Sequence, residues 1–221
     1  MRTSTLPGKN LANISRPAES YEPQMKRFLD TLQSTLNLPR KWFQVGDLAN
    51  PPIPQYVYQD YNNTFRLPRL LQLGIAESDN AWTMSQHFYP FSMCSSQTAA
   101  NATLPRLLNC TDLTRVMTMF EGDINDVNAA GYDYVLGETG SISCHGRHGV
   151  SDTFGGALYM LNFMLHGASI GIRRMFMHNG TPFFYSMWRP VTSNVGNPPT
   201  VNPTYGSFLF LAQILSAKTA A

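Results

Sequence analysis

Glu138 follows four largely apolar residues, Tyr134-Val135-Leu136-Gly137, and stands at the head of a glycine-containing loop. A carboxylate leaving a buried strand costs free energy unless it is paired or at work. It is therefore either a reacting group or a structural acid that bonds a neighbour. His87 and Tyr89 lie two residues apart at the end of another apolar run, so on a strand they share one face. A tyrosine hydroxyl beside the Glu138 carboxylate would orient it and hold it ionised. A third run ends at His178-Asn179-Gly180. The loop from Gly140 to Gly149 carries His145, Arg147 and His148 among glycines that expose backbone N–H groups. Such a loop suits an anionic group, for example a uronic-acid carboxylate. Cys144-His145-x-x-His148 has metal-like spacing, but no fourth ligand is evident and no metal is expected. Gly-x-Ser-x-Gly, a phosphate loop and Gly-x-Gly-x-x-Gly are all absent, so no cofactor is expected.

Strands and helices must bring these residues together. Met25, Phe28, Leu29, Leu32 and Leu36 recur at helical spacing, and Leu38-Pro39 ends that helix. Trp42 to Gly46 reads as a short strand, and Asn50 to Pro54 as a proline-rich loop. A helix near Leu67–Ile75 precedes a strand from Trp82 to Tyr89. Leu113, Val116, Met117, Phe120, Ile124 and Val127 form one amphipathic stripe, capped by Thr111 or Asp112 and closed by Gly131. Tyr132 to Gly137 reads as a buried strand. Ser151-Asp152 read as the cap of a long helix reaching about Ile170. A strand from Arg173 to His178 and a last helix near Tyr205–Leu215 complete the pattern, with a proline-rich stretch between them. Strand followed by helix, four times, predicts a parallel α/β sheet. An open doubly wound sheet and part of a (β/α) barrel both fit. In either, ligands meet the carboxyl ends of the strands, where Glu138, His87, Tyr89 and His178 fall.

The chain has 221 residues, of which 43% are hydrophobic and 14% charged, with a net charge of +2. The basic residues are scattered, so no nucleic-acid face is expected. No apolar stretch reaches membrane-spanning length, and residues 1 to 20 are polar and irregular rather than a signal peptide. Sequons at Asn13, Asn62, Asn101, Asn109 and Asn179 nevertheless favour a secretory history. Cys94, Cys110 and Cys144 allow at most one internal bridge, with three possible pairings.

The run from Tyr134 through Glu138-Thr-Gly-Ser-Ile-Ser-Cys144-His-Gly, then Gly149-Val-Ser-Asp-Thr-Phe154, His178-Asn-Gly-Thr181 and Tyr185-Ser-Met-Trp188, resembles the fungal members of glycoside hydrolase family 79, a family that contains β-glucuronidases. Phe43-Gln-Val-Gly46 and Ser85-Gln-His-Phe-Tyr-Pro90 extend the resemblance over roughly residues 20 to 216. It implies a TIM (β/α)8 barrel followed by a β-sandwich. Residues 21–216 would form the C-terminal half of that barrel, about four β/α units matching its strands 5 to 8. It also implies retaining hydrolysis by two glutamates, with Glu138 at the place of the nucleophile. Tyr89 would bond that nucleophile; His87, His178 and Tyr185 would line the sugar subsite; the loop holding Arg147 would meet a substrate carboxylate. On this arrangement Cys94 and Cys144 follow neighbouring strands and are the expected bridge, leaving Cys110 free. Asn179 would lie on the site's face, so its sequon is expected to go unused.

The resemblance also implies what is missing. The family's acid/base glutamate sits in Asn-Glu-Pro, which this sequence lacks. Tyr21-Glu22-Pro23 falls where the family has a helix start, so Glu22 does not take the role. The expected protein is thus a secreted glycoside hydrolase of β-glucuronidase type, with a uronic-acid-containing carbohydrate as partner, present as a piece with its nucleophile alone. A non-catalytic carbohydrate-binding remnant or a truncated gene product is the alternative. Loss of a general acid costs about 10²–10⁴-fold. This polypeptide is therefore expected to release almost no p-nitrophenol from its β-glucuronide, and robust release would refute the expectation.

Overall fold

The computed structural model describes residues 18–49, 66–192, 196 and 198–217. It begins with α1 (Ala18–Leu36), β1 (Phe43–Leu48), α2 (Leu67–Leu73) and β2 (Ala81–Phe88). Next come β3 (Phe91–Ser92), α3 (Ser96–Ala99), α4 (Leu104–Leu107), α5 (Cys110–Thr118), α6 (Glu121–Ala129), β4 (Asp133–Thr139) and β5 (Ile142–Ser143). The chain continues through α7 (Phe154–Ser169), β6 (Arg174–Met177), β7 (Trp188–Arg189), β8 (Thr200–Val201) and α8 (Thr204–Ala217). The proline-rich loop expected at Asn50–Pro54, and the sequons at Asn13 and Asn62, lie outside the described residues.

The main sheet has four strands in the order β1-β2-β4-β6, every pair parallel. Each new strand is added beside the previous one, on the same side. A doubly wound sheet reverses direction at a switch point; this one does not, and its strand order is that of successive barrel units. Between them the helices cover one face. Met84, Tyr134 and Leu136 are fully buried, and so are Phe120, Ile124 and Val127 on the helical side. Phe88 joins the layers. Its ring centroid lies 5.1 Å from Phe120 in an edge-on contact and 6.0 Å from Phe163 on α7. Such aromatic pairs add about 0.5–1.5 kcal/mol beyond their buried area.

Local chemistry moves several boundaries. α1 starts at Ala18, three residues inside the stretch expected to be irregular, and it carries Glu22 buried within it. Of the predicted stripe on α1, Leu29 is buried whereas Phe28 and Leu36 are exposed. The stripe from Leu113 to Val127 is divided between α5 and α6 at Met119-Phe120. Its apolar side remains buried across the junction, which is why periodicity reads a single helix. Asn109, not Thr111 or Asp112, caps α5, accepting from the Asp112 N–H. Thr153, not Ser151-Asp152, caps α7, accepting from the Gly156 N–H. Caps sit at the last extended residue before the turn, and in both cases that residue is not the pair singled out by composition.

The short pairs β3–β5 and β7–β8 have two residues per strand, too few to show an alternation. β3–β5 nonetheless matters to the site. It ties the chain after β2 to the chain after β4, and the Cys94–Cys144 disulfide lies just beyond it with a Cα separation of 5.4 Å. Cys110 is a free, exposed thiol. Closing a loop across 50 residues of sequence restricts the unfolded chain, by about 4 kcal/mol in the chain-entropy account. Replacing both cysteines by serine should lower the unfolding free energy by about 2–5 kcal/mol. Reducing the wild-type protein should shift its denaturant midpoint to match; an unchanged midpoint would show that the link carries no stability.

Candidate active site at the strand ends

The ladders slip where they approach the site. Gln86 pairs with Leu136, but His87 pairs with Glu138, so Gly137 is an extra residue in β4. Bulges of this kind re-aim side chains and recur beside active sites. A glycine is required here by space. A Cβ at Gly137 would overlap the Ser85 hydroxyl and the Asp47 carboxylate, which fill the pleat beside it. The slip sets His87 and Glu138 level on neighbouring strands, with Tyr89 one step beyond β2.

A line of polar contacts then runs across the strand ends. The Tyr89 hydroxyl donates to Glu138 Oε1 at 2.9 Å. His178 Nδ1, past the end of β6, lies 3.2 Å from the Tyr89 hydroxyl and 3.1 Å from that of Tyr185. With the Tyr89 hydroxyl donating to Glu138, the Tyr185 hydroxyl is free to donate to His178 Nδ1. Glu138 Oε2 faces His87 Nδ1 at 3.7 Å, beyond hydrogen-bond range. On its far side His87 Nε2 lies 3.2 Å from Asp47 Oδ1. The structure thus brings together Glu138, His87, Tyr89, His178 and Tyr185, all expected from sequence.

Burial divides these groups by role. Tyr89 and Tyr185 are 5% and 4% exposed. The Glu138 side chain keeps 36% of its surface open, enough to meet a ligand. Burial, together with the neighbouring Tyr185 and Glu138, holds the Tyr89 hydroxyl far above the ordinary tyrosine range. Tyr185 is pushed up to about 12, chiefly by burial. Tyr89 therefore keeps its proton, and its bond to Glu138, at any physiological pH. The carboxylate has one oxygen anchored, while the other has no hydrogen-bond partner among the described residues.

Arg147 is tied to the chain that follows β3. Its Nη1 donates to the carbonyls of Ala99 and Ala102, both at 3.0 Å. A guanidinium nitrogen spent on backbone oxygens at the end of α3 braces the loop from beneath. Ser151 works in the same loop, accepting from the Arg147 N–H and the Ser141 hydroxyl. Asp152 accepts from the Gly149 N–H and pairs with His148. The Cys144 sulfur is held in the disulfide, so the Cys-His-x-x-His spacing offers no thiolate to a metal. Of the described sequons, the Asn109 side chain caps α5, Asn101 accepts from Arg106, and Asn179 accepts from the Met187 N–H.

Sequence reasoning passed over two contributors. Asp47 stands at the end of β1, where the carboxyl-end rule already applied to the other strands would have found it. Phe183 lies in the loop after His178, stacked on His145 at 4.3 Å and edge-on to His178 at 5.1 Å. Gly180 leaves room for that ring, since a Cβ there would overlap it. No sequence signal marks it, because a phenylalanine in a Pro-Phe-Phe string reads equally as core.

The buried tyrosines carry a pH consequence. A hydroxyl whose pKa is raised on folding adds stability in full below its unfolded value near 10, and loses it as pH climbs toward the folded value. Tyr89, Tyr134, Tyr159 and Tyr185 all have pKa values raised by burial. Tyrosinate absorbance should accordingly rise by less than the full complement of ten near pH 10. The remainder should appear only as the fold is lost, above about pH 12 for Tyr185. Tyr89→Phe should shrink the late step alone; a single step near pH 10 would contradict the buried network.

No protein-family model matches the chain. A β-glucuronidase of Neurospora crassa is 31% identical over 168 residues, which are 73% of this chain and 29% of that protein. A β-glucuronidase of Aspergillus niger is 40% identical over 84 residues, 38% of this chain and 16% of the other. The chain therefore spans under a third of the length of these curated relatives. Among solved structures, a 4-O-α-L-rhamnosyl-β-D-glucuronidase from Fusarium oxysporum superposes with a TM-score of 0.68 at 18% identity, covering 87% of this chain and 37% of that one. A family 51 α-L-arabinofuranosidase from Bifidobacterium longum reaches 0.53 at 12% identity, covering 87% of this chain and 39% of its own. These two likenesses concern the fold, and they agree with a sheet built of successive barrel units. Over the residues they share, the chain is similar to curated fungal β-glucuronidases, in line with the resemblance read from its sequence.

Proposed function

We propose that this chain carries the nucleophile side of a retaining glycoside hydrolase site of β-glucuronidase type, with Glu138 as the nucleophile. The observation that carries the reading is the asymmetry of that carboxylate. Oε1 accepts from a tyrosine that does not ionise at working pH, while Oε2 has no hydrogen-bond partner among the described residues. A carboxylate held by one oxygen presents the other in a fixed direction, which is what attack on an anomeric carbon needs. Oε2 would form the bond to that carbon as the glycosidic bond breaks and its electron pair leaves with the departing oxygen. That oxygen takes a proton from a second carboxyl about 5–5.5 Å away in a retaining site, and no residue of this chain is assigned that role. His87, His178 and Tyr185 would line the sugar subsite. Its carbohydrate partner would be a glucuronic-acid-containing glycan or glycoside, as the relatives' names suggest.

The disulfide and the described sequons fit an oxidising, secretory setting. Among the described residues no helix is long and apolar enough to cross a membrane.

The test must not depend on the acid. 2-Deoxy-2-fluoro-β-glucuronyl fluoride leaves as fluoride without protonation, so the nucleophile alone can open it. Incubation should add one glycosyl mass to the chain, with the label on the Glu138 peptide and none in Glu138→Gln. Labelling at another residue, equal labelling of the variant, or no labelling of the folded wild type would overturn the assignment.

A further inference from the structure

Asn109-Cys110-Thr111 is a glycosylation sequon, and its asparagine stands exposed at the start of α5. The two ends of the side-chain amide have separate duties. Oδ1 accepts from the Asp112 N–H at 3.1 Å, which caps the helix. Nδ2 donates to Asp112 Oδ2 at 3.0 Å. An amide nitrogen has two hydrogens, so a sugar can replace one and leave the other bonded to Asp112. The cap uses Oδ1 and is untouched. Beside this amide lies a cavity of about 40 Å³ between α4, α5 and α7. Asn109 and Asp112 are part of its lining, and Phe91, Leu113 and Val116 give it an apolar wall. Tyr159 lines it too. That residue is 2% exposed, and its hydroxyl has no hydrogen-bond partner among the described residues. A buried hydroxyl without a partner is costly.

We propose that Asn109 bears an N-linked glycan whose first N-acetylglucosamine covers this cavity, with the acetamido group turned inward. In the attachment, Nδ2 forms a bond to the anomeric carbon of an oligosaccharide while that carbon's bond to a lipid-linked diphosphate breaks. The diphosphate leaves with the electron pair, and Nδ2 releases one proton. The acetamido group sits on the ring carbon next to the linkage, so it is the part of the sugar nearest the lining. Its methyl suits an apolar wall, and its carbonyl oxygen is an acceptor of the kind the Tyr159 hydroxyl lacks. A water-sized group needs about 10–15 Å³ of such space, so the cavity admits an acetyl group and not a whole ring. The ring stays at the surface over the mouth, with its hydroxyls in water. The inference rests on the secretory setting read above and not on the role of Glu138.

Secretion of the chain from a yeast host behind a leader peptide supplies the sugar donor. Release by peptide-N-glycosidase in ¹⁸O water should then mark Asn109 in the peptide map. Endoglycosidase H trims each glycan to its first sugar, which is the part the proposal concerns. Trimmed wild type should have a higher denaturant midpoint than trimmed Thr111→Ala, which loses this sequon alone and keeps Asn109 as the cap. Thr111 is exposed on α5 and alanine is the better helix former, so helix propensity cannot explain a lower midpoint in the variant. Tyr159→Phe, which removes only the hydroxyl, should shrink that difference. An unmarked Asn109, equal midpoints for the two trimmed proteins, or a difference unchanged in Tyr159→Phe would overturn the proposal. The first two outcomes decide even where Tyr159→Phe does not fold. Labelling of Glu138 by the glucuronyl fluoride is a separate measurement, so each reading can fail without the other.

Discussion

The site depends on one slip in a hydrogen-bonded ladder. Parallel strands fix their neighbours residue by residue, and in unbroken register His87 would stand beside Gly137 rather than Glu138. The extra residue in β4 sets the imidazole level with the carboxylate. It is affordable only as glycine, since the Ser85 hydroxyl and the Asp47 carboxylate occupy the volume a side chain would need. The slip in β1 at Asp47 and the slip in β4 at Gly137 are thus two sides of one packing problem, met across β2.

Around that point the molecule separates buried groups from open ones. Tyr89 and Tyr185 are buried and hold their protons. Glu138, His87 and His178 are partly open. The buried pair holds Glu138 and His178 through hydrogen bonds, and the apolar layer of Phe88, Phe120 and Phe163 fixes the strand that leads to Tyr89. Below Tyr89, then, packing energy of ordinary kind is converted into the placement of a single carboxylate oxygen.

Much of this was legible in the residues, and the parts that were not have physical causes. Glu138, His87, Tyr89 and His178 follow from one rule, that ligands in parallel α/β sheets meet the strand ends. The strand order needed the structure, because an alternation of strands and helices fits both a doubly wound sheet and a run of barrel units. Asn109 and Thr153 were overlooked as caps because a polar cluster offers several candidates, and backbone geometry chooses among them. Arg147 was expected at a ligand because basic residues in glycine-rich loops suit anions. Its Nη1 also meets the carbonyls of Ala99 and Ala102, long-range partners that no local pattern announces. Phe183 was hidden for a similar reason: its importance lies in what it touches, not in its own type.

The loop after β4 holds two consecutive non-glycine residues, Cys144 and His145, at positive φ of 59° and 77°. An unrestrained chain visits that pair of conformations rarely. Here a covalent bond fixes the first, and the ring of Phe183 with the Phe184 N–H fixes the second. The wall that His145 and Phe183 build against His178 is therefore ordered before any ligand arrives. Its conformational entropy has been surrendered during folding and oxidation, not at the encounter, so association against this wall resembles the meeting of two rigid bodies.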